Sequence, residues 1–238
     1  IKPYRRGGGK NVRVVLSEEL LKELKEGKTL THSSIPAGAS VVSRYIPNPL
    51  LIGGFKVDLR LYVLVASFSP LRVFVHREGM VRFAGASYSS NARIAHVTNN
   101  TVAGNGVWRK EKERPDTGDG GEEVVGGAAA NWSLTLLRNY IDQRFSSSQP
   151  AVSSSESPWE MVWRQVERLV TVTIASVVTP CLASLEKSQK ALQKAFPLSE
   201  LAQARDLKKD SFELFGFDVL IDEKLKCWLL EVNDMPDW

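Results

Sequence analysis

Two acids near the end of the chain sit inside strongly apolar runs, Asp218 in "FGFDVLID" and Glu231 in "WLLEVND". A carboxylate in a strand that reads as buried is costly unless something positive meets it. Two readings are open: the acids lie on a wetted sheet face and pair with nearby Lys, or they hold a cation. A hairpin turning between Lys224 and Leu225 places Asp218 opposite Glu231, with Asn233 further along on the face of Glu231. Two carboxylates and an amide oxygen make a hard-oxygen set of the kind Mg²⁺ takes, with nucleotide phosphates completing the coordination.

A second group lies in "FKVDLRLYVLV", where Lys56, Asp58 and Arg60 alternate with aliphatic residues. An exposed sheet edge shows this pattern. So does an anion site in which Lys56 and Arg60 meet phosphoryl oxygens, Asp58 takes a sugar hydroxyl, and Arg82 in "VRFA" adds a second planar fork of donors. The start "IKPYRRGGGKN" combines Lys2 and further basic residues with a glycine run whose N–H groups can close on phosphates, although it lacks the P-loop pattern. In "HVTNN", His96, Thr98 and Asn99 offer hydrogen-bonding side chains that can line a cleft or simply be solvated. With two Cys and three His, no zinc spacing is available, and no Ser–His–Asp elbow or Cys–His pair is visible.

The elements that must carry these residues follow from periodicity. "NVRVVL" reads as a strand and "SEELLKELKEG" as a short helix capped by Ser17 and stopped at Gly27. "SVVSRYI" reads as a strand ended by Pro47 and Pro49. "FKVDLRLYVLVASF" is the clearest strand, with Val57, Leu59, Leu61, Val63 and Val65 on one face. "LRVFVHREGMVRFA" reads as a hairpin turning at Glu78-Gly79. "NWSLTLLRNYIDQRF" is helical, and Val162, Val166, Leu169, Val170, Thr173 and Val177 recur at helical spacing, giving a helix from Trp159 to about Ser184. The stretches near 104–130, rich in Gly and charge, and 146–157, rich in Ser, read as solvated insertions. Short strands with several hairpins and few intervening helices predict an α+β fold with largely antiparallel sheets and flanking helices.

The 238 residues suffice for one large domain or two modest ones, and 43% hydrophobic with 24% charged residues is ordinary globular composition. The net charge of +4 is a mild basic bias that permits an acidic partner. Nucleic-acid binding is disfavoured by the lack of aromatic–basic interleaving. No stretch reads as the roughly 20 apolar residues of a membrane span, so no membrane partner is expected. Cys181 and Cys227 read as reduced, buried thiols of a cytosolic protein. The opening "IKPYRR", with neither Met nor leader, reads as a piece of a longer chain.

Taken in order, "VVSRYIPNPLLIGGFKVDLRLYVLVASFSPLRVFVHREGMVRFA", "HVTNN" and "FELFGFDVLID…WLLEVN" strongly resemble the tubulin–tyrosine ligase-like family, whose catalytic core is an ATP-grasp fold. The resemblance runs from Ile1 to about Asn233, interrupted by the two insertions. It implies residues 1–50 as a partial central ATP-binding lobe, with glycine-rich loop and adenine hinge, and 51–238 as the C-terminal lobe, the N-terminal part of the fold being missing.

By that resemblance Lys2 holds an ATP phosphate, and Arg44, Tyr45 and Ile46 of "SRYI" line the adenine pocket. Lys56 reaches the adenine and Asp58 the ribose. Arg60 and Arg82 face the γ-phosphate and an acyl-phosphate made from it, and His96, Thr98 and Asn99 line the same cleft. Asp218, Glu231 and Asn233 carry Mg²⁺. The implied activity is an ATP- and Mg²⁺-dependent carboxylate–amine ligase that adds an amino acid to acidic tubulin tails on microtubules, in the cytoplasm at the cytoskeleton, including cilia, flagella and basal bodies. "NPLLI…FKVDLRLYVLV" looks closer to the family's polyglutamylases, which implies glutamate. A glycine or tyrosine ligase and a catalytically silent microtubule-binding relative are the alternatives. Ser43 stands where the family commonly has Gln, and Val57 where it has Phe. The chain as it stands is expected to be inactive alone.

Overall fold

The computed structural model of the protein describes residues 2–3, 12, 14, 18, 40–41, 43–89, 95–98, 131–146, 156–197, 199, 203, 205–234 and 236. The expected strand "NVRVVL", the helix "SEELLKELKEG" and most of both insertions lie outside the described residues. Two short strands, β1 (Lys2–Pro3) and β2 (Ser40–Val41), pair antiparallel. The expected strand "SVVSRYI" is therefore corrected. Its strand conformation is seen at Ser40–Val41, and residues 43–47 are irregular as the chain approaches Pro47 and Pro49.

The remaining strands are β3 (Leu51–Ile52), β4 (Phe55–Phe68), β5 (Leu71–Phe83), β6 (Trp132–Ser133), β7 (Glu213–Ile221) and β8 (Cys227–Asp234). They form one sheet in the order β6-β5-β4-β7-β8, with β3 also on β4. The pairings β3–β4, β4–β7 and β5–β6 are antiparallel. Together with the helices of the described residues, α1 (Leu134–Phe145), α2 (Pro158–Ala195) and α3 (Leu207–Asp210), this is the α+β architecture that the sequence predicts.

β4 has the bounds and the facing that its alternation predicts. Val57, Leu59, Leu61, Val63 and Val65 are each at most 1% exposed. β5 differs from expectation. It runs unbroken through Glu78-Gly79, and the chain turns at Ser69-Pro70 instead. Gly79 is not a turn residue: a Cβ there would collide with the Arg60 carbonyl oxygen and crowd Leu134. The glycine permits close approach of β4, and its spacing from flanking apolar residues mimics a turn signal.

The chain divides into two compact units, which are described separately. The first comprises Ile1–Asp58, Arg82–Asn131 and Ile221–Lys224; the second comprises Leu59–Val81, Trp132–Leu220 and Leu225–Trp238. In the first, β3 enters β4 through Gly53 and Gly54, both at positive φ (56° and 83°). That is the backbone a two-residue hairpin needs and that glycine supplies without strain. Leu50 N–H donates to Ile221 O, Glu223 N–H to Asn48 O and Ala84 N–H to Lys56 O, each at 2.8 to 2.9 Å.

In the second unit, Ser133 and Ser157 cap α1 and α2 by accepting from Leu136 N and Glu160 N. Trp159 N–H donates to Asp142 Oδ1 at 2.9 Å, tying the start of α2 to α1. The Gln165 side chain donates to Leu225 O at 2.8 Å and accepts from Cys227 N at 3.1 Å, so α2 is tied to the start of β8. The buried stripe of α2 is Val162, Val166, Val170 and Ile174, whereas Val177 is 43% exposed.

α2 also continues past the expected end near Ser184 to Ala195, with Pro180 inside it. It contradicts the expectation that no stretch is long and apolar enough to span a membrane. An 18-residue window passes that test by length and composition, with 11% of it buried. Residues 169–185 carry no charge, but Thr and Ser interrupt the aliphatic run and hide it from inspection.

Candidate functional site

In the first unit β4 presents Lys56 and Asp58, and both are buried, at 7% and 2% exposure. The exposed-edge reading of this strand therefore fails, because β4 has neighbours on both sides. Arg82, from β5, donates through Nε to Asp58 Oδ1 (2.8 Å) and through Nη2 to Oδ2 (2.7 Å). Thr98 Oγ1 donates to the same Oδ2 at 2.6 Å. A carboxylate offers about four acceptor positions, so these three bonds fill most of them. Burial of both charges is offset by the bidentate geometry and the hydroxyl.

The Lys56 ammonium donates to His96 O at 3.0 Å and to the Tyr45 hydroxyl at 3.4 Å, and lies 4.8 Å from the centroid of the Tyr45 ring. The Tyr45 hydroxyl in turn donates to the Tyr88 hydroxyl at 3.3 Å and sits 3.0 Å from His96 Nδ1. His96 packs edge-on against both rings, at 5.7 Å from Tyr45 and 5.2 Å from Tyr88. Burial, and then the hydrogen bond and charge of Tyr88, raise the Tyr45 phenol above the ordinary tyrosine range, so it stays protonated.

In the second unit Arg60 lies along Asp218, its Cα partner across the β4–β7 pair. Arg60 Nε donates to Oδ1 at 2.6 Å and Nη2 to Oδ2 at 3.3 Å. Asn233 Nδ2 reaches Asp218 Oδ2 at 3.5 Å, so β7 and β8 do bring these two side chains together. Glu231, also on β8, is exposed. Among the described residues no three His, Cys, Asp or Glu gather as a metal cluster. The expected set of two acids and an amide falls outside that grouping.

The other expected residues fall as follows. Arg44 is exposed, while Tyr45 and Ile46 are half-buried. Lys2 lies in β1 opposite Val41. Asn99 is outside the described residues.

Two residues escaped the sequence reading. Tyr88 joins the Lys56 network from "GASYSS", a stretch with no pattern to flag it. Gly216 faces Arg60: a Cβ there would stand 2.7 Å from the Pro236 side chain and 3.2 Å from Arg60 Cδ. The available signal for it was "FGFD", a glycine on the same strand face as Asp218.

Asp218 and Asn233 carry oxygen donors of the kind a divalent cation takes, and Lys56 and Arg82 carry the N–H donors that a nucleotide takes. The Asp218 carboxylate, 3% exposed, already faces a positive group, and Asn233 carries an amide oxygen beside it whose O/N assignment rests on the hydrogen-bond network. Lys56 and Arg82 are held as fixed donors in a buried polar wall.

A largely antiparallel sheet with flanking helices and buried charge pairs on its central strands is an ATP-grasp-like arrangement. The tubulin-tyrosine ligase family model matches residues 1–238, and the chain belongs to that family. It is similar to tubulin polyglutamylase TTLL5 of Homo sapiens, at 33% identity over 208 residues, covering 82% of the chain and 13% of that protein. Tubulin monoglutamylase TTLL4 of Mus musculus is 34% identical over 201 residues (82% and 14%). Tubulin polyglutamylase TTLL6 of Mus musculus is 32% identical over 226 residues (92% and 22%). The chain thus spans about a quarter or less of the length of these three relatives.

Proposed function

We propose that the protein containing this chain is an ATP- and Mg²⁺-dependent ligase that joins glutamate to the acidic tails of tubulin in microtubules. The observation that carries this reading is the pair of buried arginine–carboxylate contacts, Arg82–Asp58 and Arg60–Asp218, at positions where family resemblance calls for nucleotide and metal ligands. The tubulin glutamylases among its relatives support tubulin as acceptor and glutamate as donor. The net charge of +4 suits an acidic acceptor.

In this proposal an acceptor carboxylate oxygen attacks the γ-phosphorus of ATP and ADP leaves, giving an acyl-phosphate. The glutamate amine then attacks the acyl carbon, phosphate departs, and the amine loses a proton. Residues 1–50 supply part of an ATP-binding lobe, with Lys2 toward phosphate and Arg44, Tyr45 and Ile46 at the adenine. Lys56 and His96 orient the base, and Asp58 with Thr98 and Asn99 the sugar. Arg82 and Arg60 neutralise phosphoryl oxygens; once Asp218 is engaged elsewhere, the fork of Arg60 is available for that task. Asp218, Glu231 and Asn233 hold Mg²⁺, which when bound offsets phosphoryl charge. Residence at the cytoskeleton, including cilia and basal bodies, follows from the acceptor.

The test is incorporation of labelled amino acids into tubulin by the full-length protein. Glutamate uptake that requires ATP supports the reading. Uptake of glycine or tyrosine but not glutamate, or of none of them, overturns it.

A further inference from the structure

The Lys56 network contains a tyrosine pair whose geometry exceeds what burial alone requires. A tyrosine hydroxyl has one proton and two acceptor positions. Tyr45 donates its proton to Tyr88 at 3.3 Å and accepts from Lys56 at 3.4 Å. With that proton committed, the 3.0 Å contact to His96 requires the imidazole Nδ1 to be the donor, which assigns the His96 tautomer from the network. Every position on the Tyr45 oxygen is then used. Tyr88 sets the direction of this arrangement, because it is the group that receives the Tyr45 proton.

Without Tyr88, the Tyr45 proton turns to His96 Nδ1 and the imidazole changes tautomer. The Tyr45 lone pairs then rotate away from the ammonium. Lys56 keeps its bond to His96 O but loses a fixed second acceptor. An ammonium that loses one of its oriented acceptors samples more directions, and recognition of a ligand acceptor by a single donor depends on direction.

We infer that Tyr88 is a positioning residue for the nucleotide site: through the Tyr45 hydroxyl it aims the Lys56 ammonium at the purine ring of ATP. The inference rests on the proposed nucleotide role of Lys56. Tyr88 does not itself touch the base in this account.

The experiment measures ATP binding by calorimetry, and KM and kcat for ATP, on the full-length protein. Tyr88→Phe keeps the ring and its edge contact with His96 while deleting the proton acceptor. ATP affinity is expected to weaken about three- to tenfold, the range for one lost neutral hydrogen bond, with KM rising and kcat little changed. A purely structural defect lowers the active fraction, and hence kcat, while leaving KM alone. In the cycle with Tyr45→Phe, the double variant is expected to be no worse than Tyr45→Phe alone, because Tyr88 acts only through that hydroxyl. Unchanged affinity in Tyr88→Phe, losses that add in the double variant, or a fall in kcat alone would overturn the inference. If the wild-type protein itself fails to bind ATP, the proposed function falls and this inference with it.

Discussion

Replacing Asp58 by Asn changes almost no volume and removes one charge, which makes it the sharpest probe of the buried trio. The carboxylate accepts from Arg82 Nε, Arg82 Nη2 and Thr98 Oγ1, at 2.8, 2.7 and 2.6 Å. An amide has one oxygen, and each Asp58 oxygen accepts from the guanidinium, so in either orientation the NH₂ group faces an Arg82 N–H, donor against donor. Arg82 is 6% exposed and has little access to water to recover its solvation. Removing one partner of a buried ion pair costs about 3–5 kcal/mol, because the other charge stays buried. For a protein of this size that corresponds to a fall in Tm of roughly 6–20 °C, at about 2–4 °C per kcal/mol.

Urea unfolding followed separately by tryptophan fluorescence and far-ultraviolet circular dichroism checks the value and whether one transition is observed. Asp58→Leu combined with Arg82→Met removes both charges and is expected to recover most of the loss. A cost below about 1 kcal/mol for Asp58→Asn, a value typical of exposed pairs, would show that the trio is solvated and the reasoning wrong.

Further expectations follow from single contacts. Gly216→Val drives a side chain into Pro236 and the Arg60 stem, so it should cost about 1–3 kcal/mol by overpacking, with Gly216→Ala milder; a neutral Gly216→Val in urea unfolding would contradict the packing. The Tyr45 phenol is raised above its unfolded value near 10, so its contribution is present below about pH 10 and is lost as pH climbs through the higher folded value. Wild-type stability should therefore decline above pH 10 more steeply than that of Tyr45→Phe, and equal slopes would contradict the assignment.

The alternation in "FKVDLRLYVLVASF" was sufficient to read β4 to its ends, because a period of two over fourteen residues admits one facing. What the pattern could not report was depth. Lys56 and Asp58 look like an exposed edge until β3 pairs with Lys56 and Arg82 and Thr98 close on the Asp58 carboxylate. Gly79 illustrates the converse. Glycine between apolar runs marks a turn locally, and only the nearness of the Arg60 carbonyl shows that it serves strand packing. Hairpin arithmetic places Asp218 opposite Glu231 and sets Asn233 on the same face, whereas the contact seen is the one between Asn233 and Asp218. The engagement of Asp218 with Arg60 was not legible, since it is set by the register of β4 on β7, two strands far apart in the sequence. Tyr88 was invisible for a related reason: a tyrosine in a polar loop carries no periodicity, and its partners are set by tertiary contact alone.

In the proposed function Asp218 and Asn233, with Glu231 from the same strand as Asn233, form a divalent-cation site. Crystals of the full-length protein grown with Mn²⁺ and a non-hydrolysable ATP analogue test it directly, through anomalous scattering at the manganese edge. A peak is expected about 2.1–2.3 Å from carboxylate oxygens of Asp218 and Glu231 and the amide oxygen of Asn233, the range for a small hard cation. A peak elsewhere, or none at these side chains while the analogue is bound, would contradict it.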